Sequence, residues 1–166
     1  MQKNEECTND LGIIKIDLKA LKANYKIIKN KIGGRSEIAA VIKANAYGLG
    51  IERISETLDI IGCKIFFVAT LQEGIKLREY IKNSKILILN GPSSFTKTVY
   101  SKFQKNNLIP VINSVDELKL WHSIPKRKNI PIALHFDTGM NRLGIPFSNL
   151  KEVYKIVNES LLRIFC

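Results

Sequence analysis

The chain has 166 residues, of which 45% are hydrophobic and 25% charged, a composition typical of a soluble globular protein with a substantial core. No apolar run is long enough to cross a bilayer as a helix, and the polar segment Met1–Asp10 lacks the apolar stretch of a secretory signal. The net charge of +11 is compatible with nucleic-acid binding, but the lysines are spread along the chain and form no basic run. Composition therefore predicts a cytoplasmic protein with neither a nucleic-acid nor a membrane partner.

The cysteines and histidines indicate no metal site or disulfide framework. Cys7, Cys63 and Cys166 are scattered without paired spacing, which predicts reduced thiols of a cytoplasmic protein. His122 and His135 are the only histidines, and they share no ligand pattern with the cysteines.

Residues 1–34 are predicted to form an N-terminal strand and helix that lead into the main domain. The segment Ile13–Asp17 alternates apolar and polar residues, as a short strand does. Asp17 is then a suitable N-cap for a helix. The expected buried face of that helix consists of Leu18, Leu21, Tyr25 and Ile28.

The following residues alternate between strand-like and helix-like patterns, the order expected of consecutive β/α units. Five nearly continuous apolar runs read as parallel strands buried on both faces. These runs are Ile38–Lys43, Lys64–Ala69, Lys85–Asn90, Leu108–Ile112 and Ile132–Asp137. Five such strands suit either an open doubly wound sheet or most of an eight-stranded barrel, and both bind ligands at the carboxyl ends of the strands.

The intervening stretches show helical periodicity and two capping boxes. The boxes begin at Thr70, with Glu73, and at Ser114, with Glu117. Trp121 is expected to pack in the core beside Leu118. The predicted buried faces are Ile51, Ile54, Leu58 and Ile61; Phe95, Val99 and Phe103; and Leu150, Val153, Tyr154, Val157 and Leu161.

The segment Ala40–Gly50 is the most informative part of the sequence. Lys43 ends an apolar run, and burial of an unpaired ammonium group is costly, so its amine is expected to open onto a cleft. Gly48 and Gly50 allow a tight turn there. An amine in such a place can form a Schiff base, although many strand-end lysines simply extend into water. Tyr47 could equally be a core aromatic residue.

The second informative segment is Leu134–Gly144, which leaves the fifth strand through a glycine-flanked loop. Arg142 could offer a planar cation to a carboxylate or a phenolate oxygen, or could be an ordinary surface arginine. His135 lies inside the predicted strand, which favours a buried histidine with a hydrogen-bond partner.

These two segments together resemble one protein family. Val41–Gly50 is similar to the cofactor-lysine signature of alanine racemases, and Asp137–Gly144 is similar to a second stretch of the same family. They occur in the family's order and at a similar separation. The strands Phe66–Thr70 and Ile86–Gly91 also resemble family strands, and the resemblance covers about residues 11 to 158.

The resemblance implies an α/β fold, namely a partial (β/α)8 TIM-type barrel with about five of eight β/α units present. Residues 35–166 would be an incomplete barrel domain that binds pyridoxal 5'-phosphate, without the family's C-terminal β domain. Family members are head-to-tail homodimers, so a second copy or a complementary fragment is the expected partner. We expect open sheet edges, an apolar inner layer that faces water, and little racemase activity from this polypeptide alone.

The resemblance also assigns roles to individual residues. Lys43 would bind the cofactor covalently and then act as the base that removes the α-proton of D-alanine. Tyr47 would bind the cofactor phosphate, Leu89 would contact the cofactor, and Arg142 would bind its ring oxygen and the substrate carboxylate. His135 departs from the family, because many members have a carbamylated lysine there that positions the arginine; a neutral imidazole could still accept a hydrogen bond from Arg142.

The implied reaction is the interconversion of L-alanine and D-alanine that supplies precursors of cell-wall peptidoglycan. A non-catalytic remnant that binds pyridoxal phosphate, or one half of a split enzyme, is the alternative. A pyridoxal-phosphate-dependent decarboxylase built on the same barrel is disfavoured by the segment Asp137–Arg142, which those enzymes are not expected to carry.

Overall fold

A computed structural model of the chain describes residues 12–34, 36–124, 130–160 and 162–165. The helices are α1 (Leu18–Ile32), α2 (Lys43–Tyr47), α3 (Ile51–Ile60), α4 (Leu71–Tyr80), α5 (Lys97–Lys105), α6 (Val115–Ser123) and α7 (Leu150–Asn158). The strands are β1 (Ala39–Val41), β2 (Ile65–Val68), β3 (Lys85–Ile88), β4 (Leu108–Ile112), β5 (Ala133–Leu134), β6 (Phe136–Asp137) and β7 (Ile145–Pro146). None of the helices in these ranges has the length and apolarity that a membrane crossing requires.

Strands β1 to β5 form one parallel sheet in chain order, as the five apolar runs predict. The fifth predicted strand is divided at His135. Its first part, β5, pairs with β4, whereas its second part, β6, turns away and pairs with β7. Helices connect the successive strands, so the chain is a series of β/α units, and the carboxyl ends of the strands lie at one edge of the sheet.

The N-terminal strand prediction is wrong, and the helix prediction is right in part. Residues 12–17 form no strand, and Ile13 is 93% exposed, because no described strand lies beside it to pair with. Asp17 does cap α1, where its Oδ1 accepts hydrogen bonds from the backbone amides of Lys19 and Ala20 at 2.8 and 3.1 Å. Tyr25 is buried, but Ile28 is 51% exposed, so the packed face of α1 is narrower than its periodicity suggests.

The main core lies between the sheet and its helices. It contains one set of alternating strand residues, among them Phe66, Ile86 and Ile112, together with the inner faces of the helices. Trp121 is fully buried there, as is Leu118, which confirms the expected packing. The predicted faces of α3 and α5 are also packed. In α7 only Val153 is fully buried, Tyr154 is 68% exposed, and the predicted position Leu161 lies outside the described residues.

The opposite face of the sheet is less open than expected. Leu87, Ile109 and Val111 form a second cluster, and Phe165 packs against it. Residues 162–165 return to the sheet, where the amide of Phe165 donates to the carbonyl oxygen of Ile132 at 2.7 Å. The expectation that the whole inner layer faces water is therefore wrong at its centre, since Leu87 is only 2% exposed.

Cys63 is the cysteine that falls within the described residues, and it is a free, buried thiol. Its Sγ donates to the carbonyl oxygens of Ile38 and Ile65 at 3.6 and 3.4 Å. Burial raises the pKa of this thiol, so it stays protonated at neutral pH. This agrees with the predicted reduced state, while Cys7 and Cys166 lie outside the described residues.

Candidate active site

The predicted site residues lie where strands end at one edge of the sheet. Lys43 comes after β1, Leu89 follows β3, His135 separates β5 from β6, and Arg142 lies in the loop between β6 and β7. The strands are parallel neighbours, so these exits face the same side, which is where α/β folds bind ligands. The predicted residues therefore lie along the same edge of the sheet.

Lys43 is partly buried and is followed by an unusual backbone turn. Residues Ala44, Asn45, Ala46 and Tyr47 all have positive φ angles, between 51° and 56°, so α2 is a single left-handed turn. This conformation costs L-residues roughly 1–2 kcal/mol each. Strain of this kind persists only where the surroundings hold the backbone in place, and it occurs preferentially at functional sites.

Several hydrogen bonds hold this turn. The amide of Ala46 donates to the carbonyl oxygen of Ile42 at 3.0 Å, and the amide of Gly50 donates to that of Asn45 at 2.9 Å. The Asn45 side chain accepts from the amide of Ile51 at 2.9 Å and so caps the start of α3. A carboxylate oxygen of Glu73 accepts from the amide of Ala44 at 2.7 Å. The turn is therefore tied to elements on both sides of it.

Tyr47, at the end of this turn, is 63% exposed, which is inconsistent with the alternative of a core aromatic residue. Its side chain therefore lies largely outside the apolar core. Ala46, in contrast, is buried at 3% exposure and anchors the turn in the core. An exposed phenol four residues after Lys43 is available to a polar ligand.

A polar cluster on the neighbouring strands joins Leu89 to His135 through Asn113. The side-chain amide of Asn113 donates to the carbonyl oxygen of Leu89 at 2.9 Å and to that of Val111 at 3.3 Å. Its oxygen lies 2.8 Å from Nδ1 of His135. Asn113 is 8% exposed, and Glu117 accepts from its backbone amide at 2.7 Å.

These bonds determine the tautomer of His135. The nitrogen of the Asn113 side chain donates to carbonyl oxygens, so its oxygen must be the atom that faces the imidazole. Nδ1 of His135 therefore carries a hydrogen, and in the neutral form of the ring Nε2 has the lone pair that can accept a hydrogen bond. His135 is partly buried and has a partner, as the sequence predicts for a histidine inside a strand.

The loop that carries Arg142 is organised by Asp137. The carboxylate of Asp137 accepts from the amide of Gly139 at 2.9 Å and from that of Asn141 at 3.1 Å. Arg142 itself is exposed, in the loop between β6 and β7. The donors of Gly139 and then Asn141 lower the pKa of Asp137 below that of an ordinary aspartate, because they stabilise its ionised form.

Acid is therefore expected to weaken this loop. Because the pKa of Asp137 is lower in the folded chain than in the unfolded one, its stabilising contribution is complete above the ordinary aspartate range and is lost as pH falls through the lowered value. Asp137→Asn keeps an acceptor oxygen but cannot ionise. Urea unfolding at pH 7 and at about pH 3 should show a smaller acid-induced loss for this variant than for the parent. Equal losses would contradict the assignment.

Sequence reasoning missed two residues of this edge. The sequence predicts Glu73 only as part of a helix cap, yet its side chain also accepts from the amide of Ala44, which lies 29 positions earlier in the sequence, directly after Lys43. Asn113 received no role, although a polar residue at the carboxyl end of an apolar strand was a usable indication. The Ser114 box is also only half formed, because Glu117 bonds to the amide of Asn113 and not to that of Ser114.

The profile of one protein family, alanine racemase N-terminal domain, matches residues 16–164. The chain belongs to the alanine racemase family. It is 39% identical over 152 residues to the alanine racemase of Rickettsia prowazekii, a match that covers 90% of this chain and 36% of that protein. It is 42% identical over 136 residues to the biosynthetic alanine racemase of Agrobacterium fabrum, covering 81% of this chain and 34% of that one.

The fold agrees with this assignment. The crystal structure of alanine racemase from Bartonella henselae with covalently bound pyridoxal phosphate superimposes with a TM-score of 0.78 at 33% identity, over 90% of this chain and 43% of that chain. The five parallel β/α units are therefore part of the alanine racemase barrel, which confirms the predicted partial (β/α)8 fold and excludes the open doubly wound sheet. The chain spans about a third of the length of the curated relatives it matches.

Proposed function

We propose that this chain is the cofactor-lysine segment of an alanine racemase, with residues 35–166 as its barrel part. The observation that carries the proposal is the placement of Lys43, a partly buried lysine at the carboxyl end of β1 that is followed directly by a left-handed turn. Family membership supplies the reaction class, since the matched relatives are alanine racemases. The proposed cofactor is pyridoxal 5'-phosphate, the proposed substrate is alanine, and the proposed assembly is a homodimer.

The residues at this edge suit such a cofactor. Lys43 would bind its aldehyde carbon and hold it at the mouth of the first unit, while the exposed phenol of Tyr47 would donate a hydrogen bond to the phosphate. Leu89, at the end of β3, would pack against the ring. Arg142 would bind the ring oxygen and the substrate carboxylate, and Nε2 of His135 is the acceptor available to orient that guanidinium.

The reaction needs an acid–base group beside Cα. When bound, pyridoxal phosphate supplies an electron sink that makes the α-proton of an amino acid removable. Once the substrate amine has displaced Lys43 from the cofactor, the free amine of Lys43 would take the proton from Cα of D-alanine. In the reverse reaction, from L-alanine to D-alanine, it would give a proton to Cα. Inversion also needs a base on the other face of Cα, which we propose lies outside this segment.

We therefore expect this polypeptide, assayed alone, to show little or no turnover, and we propose that a complementary segment or second subunit completes it. In the cytoplasm the complete enzyme would supply D-alanine for peptidoglycan. Cofactor binding without turnover, as in a non-catalytic remnant or one half of a split enzyme, is the second candidate. It is favoured by His135, which stands where many family members have a carbamylated lysine.

A segment exchange tests the proposal in an intact enzyme. Residues 16–164 of this chain would replace the matched segment of the R. prowazekii alanine racemase, and formation of D-alanine from L-alanine would be measured with purified protein. We expect activity within about a hundredfold of the R. prowazekii enzyme, because 39% identity leaves room for imperfect contacts across the junction.

The control for this exchange is the same chimaera with Lys43→Ala, which should be inactive at every substrate concentration. A folded chimaera that binds pyridoxal phosphate but never turns over alanine would support the non-catalytic candidate. A folded chimaera that neither binds the cofactor nor turns over would contradict both.

A further inference from the structure

We propose that Glu73 positions Lys43 by fixing the backbone of the turn that follows it. Its carboxylate joins two neighbouring strand exits. One oxygen accepts from the amide of Ala44, after β1, at 2.7 Å, and the other accepts from the amide of Ala69, after β2, also at 2.7 Å. The inference deepens the proposed function, since the importance of this geometry rests on Lys43 being the reactive amine.

The contact at Ala44 is where such a bond has the largest effect. Ala44 is the first residue of the left-handed turn, with φ 51° and ψ 50°, and it directly follows Lys43 in the chain. A hydrogen bond from its amide fixes the peptide unit that joins it to Lys43. Because the ordinary right-handed conformation is lower in intrinsic energy, each bond that holds the left-handed one is needed to keep it populated.

Glu73 is itself held rigidly enough for this purpose. It occupies the third position of α4, where its own amide donates to the hydroxyl of Thr70 at 3.3 Å, and the second oxygen also accepts from the amide of Thr70 at 3.2 Å. A carboxylate is suited to this bridge, because two oxygens can each accept from backbone amides and charge strengthens both bonds. The helix cap and the bridge to Ala44 are thus two functions of one side chain.

Comparison with the β4–α6 unit separates these two functions. Glu117 occupies the same position of α6, after Ser114, and accepts from the exit amide of its own strand, at Asn113, at 2.7 Å. Helix capping therefore accounts for a glutamate that accepts from the amide at the end of the strand directly before its helix, as Glu117 does at Asn113 and Glu73 does at Ala69. It does not account for the second oxygen of Glu73, which reaches the neighbouring strand at the point where that strand carries Lys43.

Amide hydrogen exchange of the full 166-residue chain, followed by NMR, tests the inference without cofactor. We expect Glu73→Ala to speed exchange at Ala44 at least about tenfold and to shift its amide resonance upfield, because a charge-assisted hydrogen bond is lost. Thr70→Ala is the matched control. It removes the other half of the same cap and should destabilise the start of α4 while leaving exchange at Ala44 unchanged.

Glu73→Gln provides a second variant should the alanine variant fail to fold. Its side chain has the same size but only one acceptor oxygen, so one of the two amides, at Ala44 or Ala69, must lose its bond. Unchanged exchange at Ala44 in folded Glu73→Ala, or at both amides in Glu73→Gln, would overturn the inference. Equal acceleration at Ala44 in Thr70→Ala would also overturn it, by showing that the effect belongs to the helix cap.

Borohydride trapping of pyridoxal phosphate on Lys43 then measures the consequence for the amine. The trapping rate should fall at least about fivefold in Glu73→Ala, and in Glu73→Gln if exchange shows that the Ala44 bond is lost there, and should stay unchanged in Thr70→Ala. A parent chain that traps no cofactor would contradict the proposed function, while the exchange data would still decide the role of Glu73. A parent that traps cofactor no faster than folded Glu73→Ala would contradict the positioning role alone.

Discussion

Lys43→Ala is expected to remove most of the covalent adduct that forms when the chain is mixed with pyridoxal phosphate and reduced with borohydride. The chain is rich in lysine, and any exposed lysine can react slowly with an aldehyde. Lys43 differs because it is a partly buried residue at the carboxyl end of β1, directly before a backbone turn held by Glu73. An amine held in place reacts faster than a mobile one, because less conformational entropy is lost when the cofactor binds.

Mass spectrometry of peptides after reduction provides the measurement. At a cofactor concentration near that of the protein, we expect modification of Lys43 to exceed that of other lysines by at least about tenfold. Lys43→Arg keeps the charge and should also lose the adduct, because a guanidinium does not form a stable Schiff base. Lys76→Ala, at an exposed position on α4, is the matched control and should leave the adduct intact. A uniform distribution of label over the lysines would contradict the assignment.

Trp121→Ala is expected to destabilise the fold by about 3–5 kcal/mol, a large part of the stability of a domain of this size. The indole is fully buried and packs against Tyr100 and Phe103, with ring centroids 5.5 and 5.9 Å away. Its loss would leave a cavity between α5, α6 and the sheet that the surrounding helices can fill only in part. Urea unfolding followed by far-UV circular dichroism would measure the change in the free energy of unfolding.

Trp121→Phe is the control for this prediction, with an expected cost of about 1–2 kcal/mol. It retains most of the aromatic contact and removes an indole nitrogen for which the described residues offer no acceptor. Equal destabilisation by the phenylalanine and alanine variants would show that a hydrogen bond of the indole, and not its packing, holds this part of the core.

The sequence was sufficient to predict the parts of the fold that depend on local patterns. Nearly continuous apolar runs predicted all five strands of the sheet. The central strands β3 and β4 are covered on both faces, as such runs indicate, whereas β1 at the edge of the sheet is partly exposed. The cap at Thr70 was predicted for a similar reason, since hydroxyl and carboxylate groups satisfy the first amides of their own helix. The prediction of a strand at Ile13–Asp17 was wrong because alternating apolar and polar residues can suit a strand without a second strand lying beside them to form hydrogen bonds.

Side chains that bond across the fold lay beyond such patterns. Arg78 donates to five backbone carbonyl oxygens, in the segments that follow α4 and α5, and nothing in its neighbouring sequence distinguishes it from an exposed helical arginine. Phe165 likewise covers the inner face of the sheet only because residues 162–165 return beside β5.

The same division holds at the site. The sequence by itself determined that an amine follows the first strand, that glycines follow it, and that an arginine loop leaves the fifth, since these depend on residue types in order along the chain. Only the tertiary structure decided that the turn after Lys43 is left-handed, that Glu73 holds it, and that Asn113 selects the tautomer of His135. The physical reason is that each of these features is a balance between local strain or ambiguity and a bond from a different β/α unit, and that bond exists only once the strands are side by side.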